Sequence, residues 1–215
     1  MGQYYNPIIL KKNWKQANNP VEKTLKCYDF GNGAKLMEHS YAGNNFVGAV
    51  MYLLATDYFG RPFVWCGDYA DSVKTNTGEH DIYQDGNVFL YGKNEEWDKS
   101  PAYKKLFNSL PKVFTDGEAE EIPYYRFIVN LSKKQFVEVP KFVENQWNVH
   151  PLPLLTCEGN GAGCGDYCLC ANGYDYRKDV RIGLWAFDRI GATNDIAEYL
   201  DKGFKAVDGH FLIDW

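Results

Sequence analysis

The chain has 215 residues, a formal net charge of −5, and 45% hydrophobic against 24% charged residues. That balance belongs to a folded chain and excludes one that is disordered over most of its length, while the acidic excess disfavours a nucleic-acid backbone as the main partner. The longest apolar run, residues 46–55, is about half of what a membrane-spanning helix needs. Residues 1–6 have neither a basic leader nor an apolar core, so a cytoplasmic protein with no membrane partner is expected.

In chain order, Tyr4 to Leu10 is aromatic and β-branched and reads as a strand. Asn18-Asn19-Pro20 marks a turn, and Leu25 to Phe30 reads as the partner strand, closed by Gly31-Asn32-Gly33. Asn44 or Asn45 caps a helix running to Ala55 whose residues are apolar on most sides, the mark of a buried helix, with Gly48 allowing close packing. Arg61 to Cys66 is a short strand ending at Gly67-Asp68. Residues 72–86 read as a polar surface loop and Asn87 to Tyr91 as a strand. Ser100-Pro101 starts a helix, with Ser as cap and Pro in the first turn, that stops before Pro111.

The acidic stretch near residues 115–122 is the one candidate for an internal boundary. Beyond it, Tyr124 to Leu131 and Gln135 to Val139 form a hairpin. Leu152 to Thr156 reads as an apolar strand, Arg181 to Ile190 as either strand or helix, and Asp195 to Lys202 as a helix capped by Asn194 with Gly203 past its end. Asp208-Gly209 carries the signal of a two-residue hairpin, which predicts a positive φ at Gly209. These elements add up to a single α+β domain with a largely antiparallel sheet built from hairpins and about three packed helices. Gly31-Asn32-Gly33-Ala34 recurs at residues 159–162 and Gly67-Asp68-Tyr69 at residues 165–167, but the offsets differ, so chance and shared turn chemistry explain them better than a duplication.

The opening Met1-Gly2-Gln3-Tyr4-Tyr5, the segment Lys35-Leu36-Met37-Glu38-His39-Ser40, and Trp65-Cys66-Gly67-Asp68-Tyr69-Ala70-Asp71 resemble a family of uncharacterised bacterial and bacteriophage proteins. Pro151 to Tyr167 and Trp185 to Ile190 resemble it as well. The resemblance implies no activity, cofactor or site residue. It implies a Gly-rich rather than Cys-rich loop around residues 157–170.

Three constellations could carry chemistry. Gly159, Gly161, Gly163 and Gly165 alternate in a loop whose exposed N–H groups could cradle an anion, although no Gly-Lys-Ser/Thr ending follows. Cys157, Cys164, Cys168 and Cys170 could offer four thiolates to zinc, but they lack paired knuckles. With no secretion signal, these cysteines together with Cys27 and Cys66 are expected as reduced thiols. The carboxylates Asp68, Asp71, Asp166, Glu158 and Asp188 lie near chain breaks, and Glu38-His39 precedes the buried helix. Asp68 and Asp166, each between Gly and Tyr, are expected to face one cleft with Glu38 or His39 as catalytic partners; the plainer reading is that each ties down its own turn. His80, His150 and His210 show no partner in the sequence. The nucleophile elbow, His-Glu-x-x-His, Walker and kinase motifs are absent. Two readings of function remain. One is a small-molecule site, for an anionic or nucleotide-like ligand, binding or hydrolytic, with its cofactor unknown. The other is a non-catalytic accessory protein of phage origin that contacts a protein partner through aromatic residues.

Overall fold

A computed structural model describes residues 3–93, 100–115, 122–141, 148–159 and 181–211. It is an α+β fold. The strands are β1 (Tyr5–Leu10), β2 (Val21–Thr24), β3 (Arg61–Gly67), β4 (Val73–Thr75), β5 (Gly78–His80), β6 (Phe127–Asn130), β7 (Gln135–Glu138), β8 (Cys157–Glu158), β9 (Arg189–Thr193) and β10 (Lys205–Ala206). The helices are α1 (Leu36–His39), α2 (Asn45–Ala55), α3 (Ile82–Tyr91), α4 (Pro101–Phe107), α5 (Lys112–Thr115), α6 (Pro151–Thr156) and α7 (Ala197–Asp201), of which α2, α3 and α4 have seven or more residues.

The large sheet runs β10-β7-β6-β9-β3-β1-β2, with β8 also on β3 and β4-β5 forming a separate small sheet. Pairing is antiparallel except for β10 on β7 and β8 on β3. Strands from both sides of residues 116–121, which lie outside the described residues, share this sheet.

All six residues of β1 are buried because both faces of the sheet are covered. Tyr5, Ile9, Phe63 and Trp65 meet α2 and the main core; Ile8, Leu10, Val64 and Cys66 meet Trp14, Val21 and Ile82 of α3 on the other side. The period of two along β1 and β3 distributes side chains between two cores. Helix α2 is the buried helix its composition predicts, capped by Asn44, whose Oδ1 accepts the N–H groups of Phe46 and Val47. A methyl at Gly48 would stand 2.6 Å from Ile122 Cγ2, so the close packing is real.

Several expected elements differ. The partner of β1 is Val21–Thr24, and Cys27–Phe30 forms a 3-10 turn. Residues 72–86 hold the β4–β5 hairpin and the start of α3, and Asn87 to Tyr91 is helix rather than strand; Asp81 caps it by accepting the Gln84 N–H. Local capping here outweighs the strand propensity of Val88 to Tyr91. Leu152 to Thr156 is also helical, started by Pro151 in its first turn. Asn194 does not cap α7; its Oδ1 accepts the Arg126 N–H, while Asp195 Oδ1 takes that of Ala197.

Among the described residues, which end at 211, the expected hairpin at Asp208-Gly209 does not form. Lys205–Ala206 pairs in parallel with Gln135 and Phe136, and Gly209 is not among the residues with positive φ. Gly209 answers to packing instead, since a Cβ there would sit 2.0 Å from Val137 Cγ2.

Candidate functional site at the end of β3

Strand β3 ends at Gly67, and three segments converge there. Tyr5 of β1 pairs with Gly67, Glu158 of β8 pairs with Cys66, and residues 68–71 turn away from the sheet. Gln3, the first described residue, reaches Gly159 at this strand end.

Asp68 is bound to Tyr4 through both its backbone and its side chain. Its N–H donates to Tyr4 O at 2.9 Å, and its Oδ1 accepts the Tyr4 N–H at 3.0 Å. This is the turn-tying role, extended across 64 residues of sequence. Asp166 lies outside the described residues, as do Gly161, Gly163 and Gly165. The one described member of the Gly set, Gly159, has φ +99°, and a Cβ there would fall 2.6 Å from Gln3 Nε2 and 3.0 Å from the Ala70 N. Its glycine serves both a left-handed backbone and a tight three-way contact.

The same strand end holds Glu158, which pairs with Cys66 next to Gly67. Glu158 is half-buried, and burial, with Asp71 nearby, pushes its carboxyl above the usual range despite a hydrogen bond from the Gly159 backbone. Asp81, Glu158 and Asp68 all act on the Cys66 thiol, which burial raises most, and Asp68 also adds to the burial that raises the Tyr83 hydroxyl. One end of β3 therefore collects acidic groups from the β3 turn, from β8 and from the N-cap of α3.

Gln3 completes this junction. It is fully buried. Its Oε1 accepts the Tyr5 hydroxyl at 2.9 Å, but its Nε2 has no hydrogen-bond partner among the described residues. That amide lies against Gly67 and Gly159, where a Cβ would come within 2.4 and 2.6 Å of it. A buried donor without a partner costs about 1–3 kcal/mol. Sequence reasoning did not select Gln3, and the only local signal was its place between Gly2 and the first strand.

Glu38 and His39 lie in α1 and serve the fold there. Glu38 Oε2 accepts the Lys35 N–H at 3.0 Å, and Gly33 leaves room for that carboxylate. His39 is fully buried; its Nδ1 donates to Gly33 O at 3.0 Å, and its Nε2 accepts the Trp65 indole N–H at 3.0 Å. Those bonds fix the neutral tautomer, and burial holds the pKa down at about 4. Asp188 is likewise engaged, accepting from Asn130 Nδ2 at 2.8 Å and Lys133 Nζ at 2.6 Å.

Among the described residues no group of three or more His, Cys, Asp or Glu is arranged to hold a metal ion. Cys164, Cys168 and Cys170 lie outside them. Cys157 is a buried free thiol, raised to about 12 by burial. Among the described residues no helix is long and apolar enough to cross a membrane. No protein-family model, curated protein or solved structure matches the chain.

Proposed function

We propose that the protein binds a small polar ligand at the end of β3, with Gln3 donating to a ligand acceptor and Glu158, Asp71 and Asp68 taking ligand donors. The observation that carries this reading is the Nε2 of Gln3, a buried donor held between Gly67 and Gly159 with no partner among the described residues. The carboxylates favour a neutral or amine-bearing ligand over the anionic one that the Gly-rich sequence suggests, since an anion here would meet like charge. Whether the ligand is also hydrolysed turns on Glu158: a carboxyl with raised proton affinity is the form a general acid takes.

The test is a thermal-shift screen of the full chain with polyols, amino acids and amines, beside phosphate and AMP. A polyol, amino acid or amine should raise the melting temperature, and both Gln3→Leu and Glu158→Gln should remove that rise. A rise with phosphate or AMP alone would restore the anionic reading.

A second reading, a docking surface for a protein partner, is favoured by the tyrosines around Tyr4. Tyr4 and Tyr28 are 48% and 60% exposed, and Lys26 Nζ lies 5.6 Å from the Tyr28 ring centre and 5.1 Å from that of Tyr91. Exposed tyrosines beside a cation suit a protein interface. Under this reading a partner would be lost on Tyr28→Ser with the ligand response intact.

A further inference from the structure

The β4–β5 hairpin carries a hydroxyl and an imidazole, and α3 brings a carboxylate to that imidazole. Thr77 Oγ1 is 3.1 Å from His80 Nε2, and His80 Nδ1 is 3.0 Å from Asp85 Oδ2. We propose that Thr77, His80 and Asp85 form an acyl-transfer relay, with Thr77 as nucleophile toward a carboxylic ester, His80 as its base and Asp85 as the positioning residue. This site is separate from the Gln3–Glu158 junction and does not depend on it.

The arrangement meets the geometric signature of an activated nucleophile: a base within about 2.6–3.2 Å, itself oriented by a third group. With Asp85 ionised, the Nδ1–H of His80 points at its carboxylate, and the Nε2 lone pair is left facing Thr77. The Thr77 hydroxyl has one proton and three acceptors within reach: His80 Nε2, Ala17 O at 3.1 Å and Thr75 Oγ1 at 3.0 Å. The Thr75 hydroxyl gives its own proton to Gly78 O at 2.9 Å and accepts the Thr77 N–H at 3.2 Å. In that pattern nothing donates to Thr77 Oγ1, and its lone pairs stay available.

Access and rigidity also fit. Thr77 is exposed, while the His80 side chain is only 12% exposed and that of Asp85 31%. Gly78, next to the nucleophile, has open space where its side chain would stand. The hairpin is fastened to residues 14–17 by Asn76 N–H donating to Lys15 O at 2.8 Å. Asp85 belongs to a ten-residue helix seated tightly on β1, since a Cβ at Gly86 would come within 2.8 Å of Ile8 Cδ1.

The reaction balances with water alone. Thr77 Oγ1 bonds to the ester carbonyl carbon as His80 Nε2 takes the hydroxyl proton. The tetrahedral adduct then breaks its carbon–oxygen bond to the alcohol, which leaves with the proton from His80. Water adds to the acyl-threonine, giving one proton to His80; collapse releases the carboxylic acid, and the proton returns to Thr77.

The experiment incubates the full chain with p-nitrophenyl acetate, follows p-nitrophenolate, and maps acetyl groups by peptide mass spectrometry. Acetylation of Thr77 is expected, absent in Thr77→Val, kept in Thr77→Ser, and slowed about 100-fold or more in His80→Ala. Asp85→Asn should slow it as well, and should that of His80 unfold, this variant decides by the same comparison. No acetyl group on Thr77 of the native chain, or the same rate in the His80 and Asp85 variants, would show that the three residues only fasten the hairpin and would overturn the proposal.

Discussion

His39 and His80 each engage both ring nitrogens, and they do opposite things. His39 is enclosed between the Gly33 carbonyl and the Trp65 indole, stacked on Trp65 at 5.4 Å between ring centres and edge-on to Phe46 at 5.2 Å. Nothing soluble reaches it, and its hydrogen bonds join α1 to β3. His80 sits between a carboxylate and an exposed hydroxyl on a hairpin outside the large sheet. The same ring acts as a structural pin in one place and faces a reachable oxygen in the other. Burial and the identity of the two partners make the difference, not the residue type.

The largest expected effect breaks the pin. His39→Ala removes a fully buried ring and leaves the Gly33 carbonyl and Trp65 indole N–H unpaired. Cavity and lost hydrogen bonds together should cost about 3–5 kcal/mol in urea unfolding. His80→Ala should cost about 1 kcal/mol, because its partners stay near water. Equal losses in the two variants would refute the contrast.

Acid should attack the buried imidazoles next. His39 is held at about 4 and His150 at about 3, both by burial. His150 also caps α6, its Nδ1 accepting the Leu152 N–H at 3.2 Å. A folded-state pKa below the unfolded value of about 6.5 means that the unfolded chain binds protons first. The stability from each neutral ring is therefore complete above pH about 6.5 and is lost as pH falls from there toward the folded value. For His39 the full loss is about 3 kcal/mol. Urea midpoints measured from pH 7.5 to 4.5 should fall, and the fall should be shallower in His39→Gln; a flat profile would remove the buried neutral rings from the account.

How much of this was legible varies with distance along the chain. Asn44 as a cap, Ser100-Pro101 as a helix start and the pair β6–β7 are local signals, and the structure follows them. Val88-Phe89-Leu90-Tyr91 and Leu152 to Leu155 are short apolar runs whose period cannot separate strand from helix; Asp81 and Pro151 decided both toward helix. The candidate site was harder. Glu38-His39 stood out for needing a reason to lie near a core, and the reason is Trp65, 26 residues away. The junction of Gln3, Gly67 and Glu158 depends on strand register, which no local pattern announces. The relay's residues are near in sequence, yet His80 showed no partner because residues 72–86 read as loop, and only a helix at Asp81 turns Asp85 toward the hairpin.

A smaller effect is expected where packing, not backbone angle, demands glycine. Gly67→Ala would place a methyl 2.4 Å from Gln3 Nε2 and 3.0 Å from the Tyr5 ring. Overpacking of this kind costs about 1–3 kcal/mol. The substitution should also abolish any ligand response that depends on Gln3, whereas Gly31→Ala, at φ +69° with open space around it, should lower stability without touching that response. Loss of the response in both variants would mean that it follows general stability rather than the junction.

The smallest expected effect separates the two roles of Asp68. Its Oδ1 accepts the Tyr4 N–H, a task that an asparagine oxygen performs equally well. Asp68→Asn should therefore shift stability by less than about 0.5 kcal/mol, while Asp68→Ala, which removes the acceptor, should cost about 1 kcal/mol. The charge is a different matter. If it helps hold an amine-bearing ligand, Asp68→Asn should weaken that ligand several-fold at unchanged melting temperature. If the asparagine variant keeps both its stability and its ligand response, Asp68 does nothing beyond tying the β3 turn to Tyr4, and the proposed site contracts to Gln3, Asp71 and Glu158.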